Sequence, residues 1–131
     1  MMTTTGQPVP AGSILYRDDG WLTHLGIYLG GDSVYENAKL TGPRLTTSAA
    51  FTRGRPVRYR PLPTPMPVLR ARIDAALASG QPYNVLLNNC EQSATWVAEG
   101  EARSPQLRFW VGAGFVLTFL VLAARNNDNE A

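Results

Sequence analysis

The chain has 131 residues and a net charge of +2, from 12 Lys and Arg against 10 Asp and Glu, with one Cys and one His. That length supports one domain around a modest core rather than two. A lone cysteine excludes an internal disulfide, and one His with one Cys falls short of the usual zinc ligand set, so the residues imply neither metal nor cofactor. The basic excess sits in Arg53, Arg55, Arg58, Arg60, Arg70 and Arg72, set around prolines. Without interleaved aromatic residues this reads as a face for anionic lipid headgroups or as plain solvation, not as a nucleic-acid surface.

Residues 1–7 are polar, rich in threonine, and lack the basic and apolar regions of a secretion signal, so a flexible lead-in is expected. Ile14 to Arg17 reads as a short strand after the turn at Pro10-Ala11-Gly12, and Asp18-Asp19-Gly20 turns the chain. Thr23 to Leu29 is the next strand: Leu25, Ile27 and Leu29 alternate with the other positions, which puts His24 on the face away from the core. Gly30-Gly31-Asp32 signals a hairpin into a strand from Ser33 to Asn37.

Turn length decides which polar residue of that strand shares a face with His24. A three-residue turn sets Leu29 opposite Ser33 and Gly26 opposite Glu36, bringing the carboxylate to the His24 face. A two-residue turn shifts the pairing by one and brings Asn37 there instead. Glu36 would raise the histidine pKa through its charge, whereas Asn37 would orient the ring with little shift. Both remain candidates, with Glu36 preferred.

Further along, Pro56 to Tyr59 reads as a strand and residues 61–67 as a breaker. Val68 to Ala78 carries Val68, Leu69, Ile73, Ala76 and Leu77 on one helical stripe and stops at Gly80. In Asn88-Asn89-Cys90-Glu91-Gln92, polar residues open a helix read from Ser93 to Glu99. A thiol in the first turn feels the positive end of the helix dipole, which favours thiolate. Either residue alone is ordinarily structural, a buried small hydrophobe or a hydrogen-bonded surface histidine. In these two settings together, Cys90 and His24 read as nucleophile and base.

Phe109 to Ala124 is an uncharged run between Arg108 and Arg125. Its sixteen residues span roughly 24 Å as a helix, against a hydrocarbon core of about 30 Å. Flanking arginines and Trp110 can supply the difference, so a membrane-anchor helix over residues 107–125 is expected, with a polar tail at 126–131; a buried core helix is the alternative. Positive residues before the run and acidic ones after it put the catalytic part on the cytoplasmic side.

Three stretches, His24-Leu25-Gly26-Ile27-Tyr28-Leu29-Gly30, Asn89-Cys90-Glu91 and Gly100-Glu101-Ala102-Arg103-Ser104-Pro105-Gln106-Leu107-Arg108 before an apolar tail, resemble the lecithin retinol acyltransferase-like family. Within it the chain is most similar to the HRAS-like suppressor phospholipase A/acyltransferases, over about Pro8 to Arg125. The resemblance implies an α+β fold: a circularly permuted papain-like (NlpC-type) domain, residues 8–106, with an antiparallel sheet packed on helices, plus the C-terminal hydrophobic helix. In the permuted branch histidine precedes cysteine, as here. By position Cys90 is the nucleophile, His24 the base, and the third polar position falls on Glu36, where relatives usually carry a second histidine. Relatives also commonly follow Asn-Cys-Glu with His-Phe, where this chain has Gln92-Ser93.

The implied activity is that of a cysteine acyl hydrolase or acyltransferase acting on phospholipid or other acyl esters at a membrane, through a Cys90 thioester and without a cofactor. Two other classes share these residues: a thiol peptidase or amidase on cell-wall peptides, and an inactive membrane adaptor. Oligomeric state is not set by the sequence.

Overall fold

The computed structural model describes residues 1–3, 5–80 and 89–100. Strands β1 (Ser13–Asp19), β2 (Leu22–Gly30), β3 (Ser33–Ala38) and β4 (Gly42–Thr47) follow one another as antiparallel hairpins. A short helix α1 (Ser48–Thr52) leads to β5 (Val57–Pro61), and α2 (Met66–Ser79) and α3 (Cys90–Glu99) follow. The sheet order is β4-β3-β2-β1-β5, so β5 returns to pair with β1 at one edge and β4 forms the other. The architecture is therefore α+β, a five-stranded antiparallel sheet packed against helices.

Because strand side chains alternate, the sheet has two distinct faces. One carries Ile14, Leu25, Ile27, Leu29 and Tyr35, and α2 and α3 cover it with Leu69, Ile73, Ala94, Val97 and Ala98. The other carries Leu15, Tyr28, Val34 and Val57, covered by Phe51 of α1. His24 was expected to face away from the core, yet its own face is covered too, and its side chain is only 11 % exposed. The physical reason is α1, whose apolar residue the sequence reading did not assign to a packing role.

The strands at Ile14, Thr23, Ser33 and Pro56 are all present, most of them extended by a residue or two. The helix expected at Val68 begins two residues earlier, with Pro65 as N-cap and a proline in the first turn, where a missing N–H is harmless. It ends at Gly80 in the left-handed conformation, as the sequence indicates. The helix expected from Ser93 starts at Cys90, because Asn89 accepts from Gln92 N while the Gln92 side chain accepts from Asn89 N. That reciprocal cap fixes the thiol in the first turn.

Strand β4 and α1 are additions to the sequence reading. Pro43 argues against a strand, but β4 is an edge strand, where a proline is tolerated. The β2–β3 turn is also instructive. Gly30 pairs with Ser33, so two residues make the turn, Gly31 and Asp32, both with positive φ. A bulge between Tyr28 and Gly30 then absorbs one residue and restores Tyr28 opposite Val34 and Gly26 opposite Glu36.

One expectation is corrected. Among the described residues no helix is long and apolar enough to cross a membrane. The anchor expected at 107–125 lies outside the described residues, as does the tail at 126–131, and the expected membrane attachment with a cytoplasmic catalytic face has no spanning helix among the described residues to rest on.

Candidate active site

The sheet alternation that builds the α1-covered face also lines up a row of polar side chains across four strands. Arg17 of β1 is directly opposite His24 of β2, Gly26 is opposite Glu36 of β3, and Glu36 is opposite Arg44 of β4. His24 and Glu36 are thus diagonal neighbours on one face, within reach of a side-chain bond. His24 Nε2 donates to Glu36 Oε1 at 2.8 Å. Arg44 donates to Glu36 Oε2 from Nε at 2.8 Å and from Nη2 at 2.7 Å. The carboxylate is buried, with 1 % of its side chain exposed, and both oxygens are engaged by cationic groups.

Gly26 makes room for this arrangement. A Cβ there would lie 2.6 Å from Phe51 Cε2 and 3.0 Å from the carbonyl oxygen of Tyr35, so the Phe51 ring occupies the space a side chain would take. The same ring lies 5.5 Å from the imidazole, tilted by 32°, and forms the apolar floor under His24. Arg17 packs over the other part of that ring and donates to the Phe51 carbonyl, while its Nε and Nη2 hold Asp19 at 2.8 and 2.7 Å. Asp19 is held below the usual carboxylate range chiefly by that Arg17 bond. The pair neutralises the cation that faces His24 across the strands.

Cys90 is a free thiol, half-buried, at the first position of α3. It lines the same cleft as His24, Arg17, Arg44 and Lys39, a cavity of about 640 Å³ at the end of the sheet where β1 turns into β2 and β3 into β4. Burial disfavours a charged imidazole, but the neighbouring Cys90 thiol and the Glu36 carboxylate outweigh it and raise its pKa to about 9. Since Nε2 is occupied by Glu36, Nδ1 is the ring nitrogen left for the sulfur. For Glu36, burial pushes the carboxyl up, but the bonds from His24 and Arg44 win and hold it below its ordinary value. Near neutrality the set is therefore imidazolium next to sulfur, with carboxylate and guanidinium behind it.

Of the four residues singled out from sequence, Cys90, His24 and Glu36 come together. Asn37 does not: it pairs with Pro43 and, by alternation, turns to the face opposite His24, because the bulge settles the register for Glu36. Asn37 is itself buried, at 1 % exposure. Arg44, Gly26 and Phe51 were missed. Gly26 opposite Glu36 was legible from the hairpin, but Arg44 becomes visible only once β4 is recognised as a strand. The mid-chain arginines do not form one face: Arg58 reaches Asp18, Arg60 reaches Glu99, Arg72 caps the Val97 carbonyl and Arg53 turns to the cleft.

The first turn of α3 adds a donor. The reciprocal cap engages the Asn89 and Gln92 N–H groups, and Ser93 N donates to the Asn89 carbonyl, leaving the Cys90 N–H outside the cap. A helix N-terminus beside a thiol is suited to stabilising negative charge. Among the described residues no group of three His, Cys, Asp or Glu side chains is arranged to hold a metal ion. Compared with known proteins, the chain matches no protein-family model and no curated protein.

Proposed function

We propose that the protein is a thiol-dependent acyl hydrolase or acyltransferase, with Cys90 as nucleophile, His24 as proton carrier and Glu36 as the group that orients the imidazole. The observation that carries this reading is that Cys90 and His24 line one cleft, with His24 bonded to Glu36 and Glu36 to Arg44 behind it. A thiol beside an imidazole that a carboxylate orients is the arrangement of a nucleophile paired with its proton carrier. The exposed Leu22 and Leu40 on the cleft wall suit an apolar acyl chain.

The Cys90 thiolate attacks the carbonyl carbon of an acyl ester or amide, and the carbonyl electrons move onto oxygen, where the Cys90 N–H stabilises them. Collapse of this tetrahedral species breaks the bond to the alcohol or amine. His24 gives its Nδ1 proton to that leaving group and is left neutral, with Nε2–H still held by Glu36. The thioester is then attacked by water or by an acceptor nucleophile, whose proton returns to His24 while the sulfur leaves as thiolate.

A histidine on a strand, a carboxylate on the next strand and a cysteine opening a later helix also agree with a permuted papain-like domain. The testing experiment is incubation of the full chain with a short-chain aryl ester, followed by intact-mass analysis. A mass increase of one acyl group on Cys90, absent in Cys90→Ala, is expected. Ester turnover that survives Cys90→Ala would overturn the reading, as would release of peptide stem fragments from cell-wall material with no ester turnover.

A further inference from the structure

We propose that the cleft selects acyl donors carrying an anionic group, which Lys39 and Arg53 hold while the carbonyl meets Cys90. This deepens the acyl-transfer reading and rests on it. Four permanent cations line the cleft, Arg17, Lys39, Arg44 and Arg53, against Asp19 as the lining carboxylate. Arg17 is engaged by Asp19, and Arg44 by Glu36. Lys39 and Arg53 are exposed and form no ion pair among the described residues. After internal pairing the wall therefore retains two cations directed at whatever enters. A concave surface with one sign of charge concentrates ligands of the other.

The backbone of Arg53 is the second observation. It caps α1 in the left-handed conformation, φ 51°, with its N–H on the Ala49 carbonyl. That conformation is strained for a side-chain-bearing residue, and glycine is the residue that ordinarily fills it. An arginine kept at a glycine position, with its side chain on the cleft, points to a use for the guanidinium. A carboxylate on the acyl chain and a phosphate on the leaving alcohol present the same chemistry to Lys39 and Arg53, and experiment separates the two.

With the full chain at low ionic strength, kcat/KM is measured for two matched pairs. One is mono-4-nitrophenyl glutarate against 4-nitrophenyl butyrate, the other 1,2-dihexanoyl phosphatidate against 1,2-dihexanoylglycerol. An anionic-to-neutral ratio of about tenfold is expected in at least one pair, shrinking as salt screens it, and the pair that shows it identifies the source. The ratio falls at least about threefold in Arg53→Gly and in Lys39→Ala and is largely kept in Arg53→Lys. Because glycine fits the backbone at 53, Arg53→Gly keeps or raises Tm, which separates lost selection from lost folding.

Ratios near one in both pairs, or ratios that neither Arg53→Gly nor Lys39→Ala alters, overturn the proposal. Binding of N-phenylglutaramate, of N-phenylbutyramide and of inorganic phosphate to Cys90→Ala protein supplies a readout without turnover. Tighter binding of either anion, lost on adding Arg53→Gly, supports the anion site even where Cys90 proves dispensable for ester turnover. Indifference to charge sinks it while leaving the acyl-transfer reading intact.

Discussion

The two faces of the sheet are both buried, yet they are built from opposite materials. Under α2 and α3 the contacts are aliphatic and aromatic, from Ile14 through Ile27 to Val97. Under α1 the apolar cluster of Leu15, Val34 and Phe51 gives way, toward the cleft, to Arg17, His24, Glu36 and Arg44. The difference teaches how a period of two divides labour within one strand. Leu25 and Ile27 close the core, while His24, one residue away, is delivered to the polar row at the cleft. Burying the polar row is tolerable because each charge has a partner; an unpaired member would be costly.

The division is tested most strongly by a pair of truncations on opposite sides of it. Cys90→Ala is expected to reduce ester turnover by about 10³-fold or more while leaving Tm within a few degrees, since a half-buried thiol contributes little packing. Ile27→Ala, fully buried on the apolar face, is expected to cost about 2–5 kcal/mol in a denaturant melt and to leave kcat of the folded fraction near wild type. An Ile27→Ala protein of normal stability, or a Cys90→Ala protein that unfolds, would dissolve the contrast.

A smaller effect is expected when the charge behind the imidazole is removed with its shape kept. Glu36→Gln leaves His24 oriented by an amide and Arg44 without its anion. Turnover is expected to fall about 10²-fold, between the loss of a nucleophile and that of a peripheral contact. The same variant changes pH dependence. His24 has its pKa raised from 6.5 to about 9, so its contribution to folding is complete below about pH 6.5 and is lost as pH rises through about 9. Glu36 is shifted the other way, so its contribution is present above the ordinary carboxyl pKa and lost as pH falls through its lowered one. Wild-type Tm is expected to decline from pH 6.5 to beyond 9, and Glu36→Gln to flatten that decline. Among the described residues, Arg17 and Asp19 from β1, Arg44 from β4 and Cys90 from α3 also act on the charges of His24 and Glu36. An alkaline decline equally steep in Glu36→Gln would separate the carboxylate from the histidine shift.

Sequence reached the β2–β3 hairpin because its signals are local. Alternation fixes the faces, and Gly30-Gly31-Asp32 marks the turn without fixing its length. Even so, Glu36 was reached through the wrong turn: the two-residue connection would by itself have brought Asn37 to His24, and the bulge at Tyr28–Gly30 reversed that. Bulges have no reliable residue signature, so register was decided by packing, with the Phe51 ring lodged over Gly26. Cys90 at the head of α3 was legible from Asn89 and Gln92, a cap written in neighbouring residues. The β4–α1 segment was not legible, because Pro43 masks an edge strand and a five-residue helix has too few turns to show periodicity. Arg44 and Arg53, both on the cleft, lie in or next to that segment. The α+β class was within reach of pattern; the guanidinium behind the carboxylate depends on a pairing between strands.

Gly26→Ala probes the seam between the apolar and polar parts of one face. The added methyl would sit 2.6 Å from the Phe51 ring, so the ring must shift, and the His24 floor with it. Overpacking of this kind costs about 1–3 kcal/mol, measurable as a lower denaturation midpoint with an unchanged slope. Turnover is expected to drop by about tenfold through His24 misalignment, and Gly26→Ala combined with Phe51→Leu to regain part of it, because a smaller side chain frees the space. A single variant as active and stable as wild type would show that Phe51 does not set the imidazole's position.

The smallest effect is expected at the far end of the row. Arg44→Lys retains a positive charge but replaces two fixed N–H donors on Glu36 Oε2, at 2.8 and 2.7 Å, with a rotatable ammonium. Because 35 % of the Arg44 side chain is exposed, solvent screens part of that interaction. Turnover is expected to fall less than about tenfold, with the Cys90 acyl adduct still formed. Arg44→Gln removes the charge, so Glu36 loses one of the two cations that hold it ionised, and the acid limb of the pH–rate profile moves to higher pH. A lysine that restores the wild-type acid limb, beside a glutamine that does not, identifies charge as what Arg44 supplies. If both variants keep the wild-type limb, Arg44 supports β4 alone, and the polar row that matters for turnover ends at Glu36.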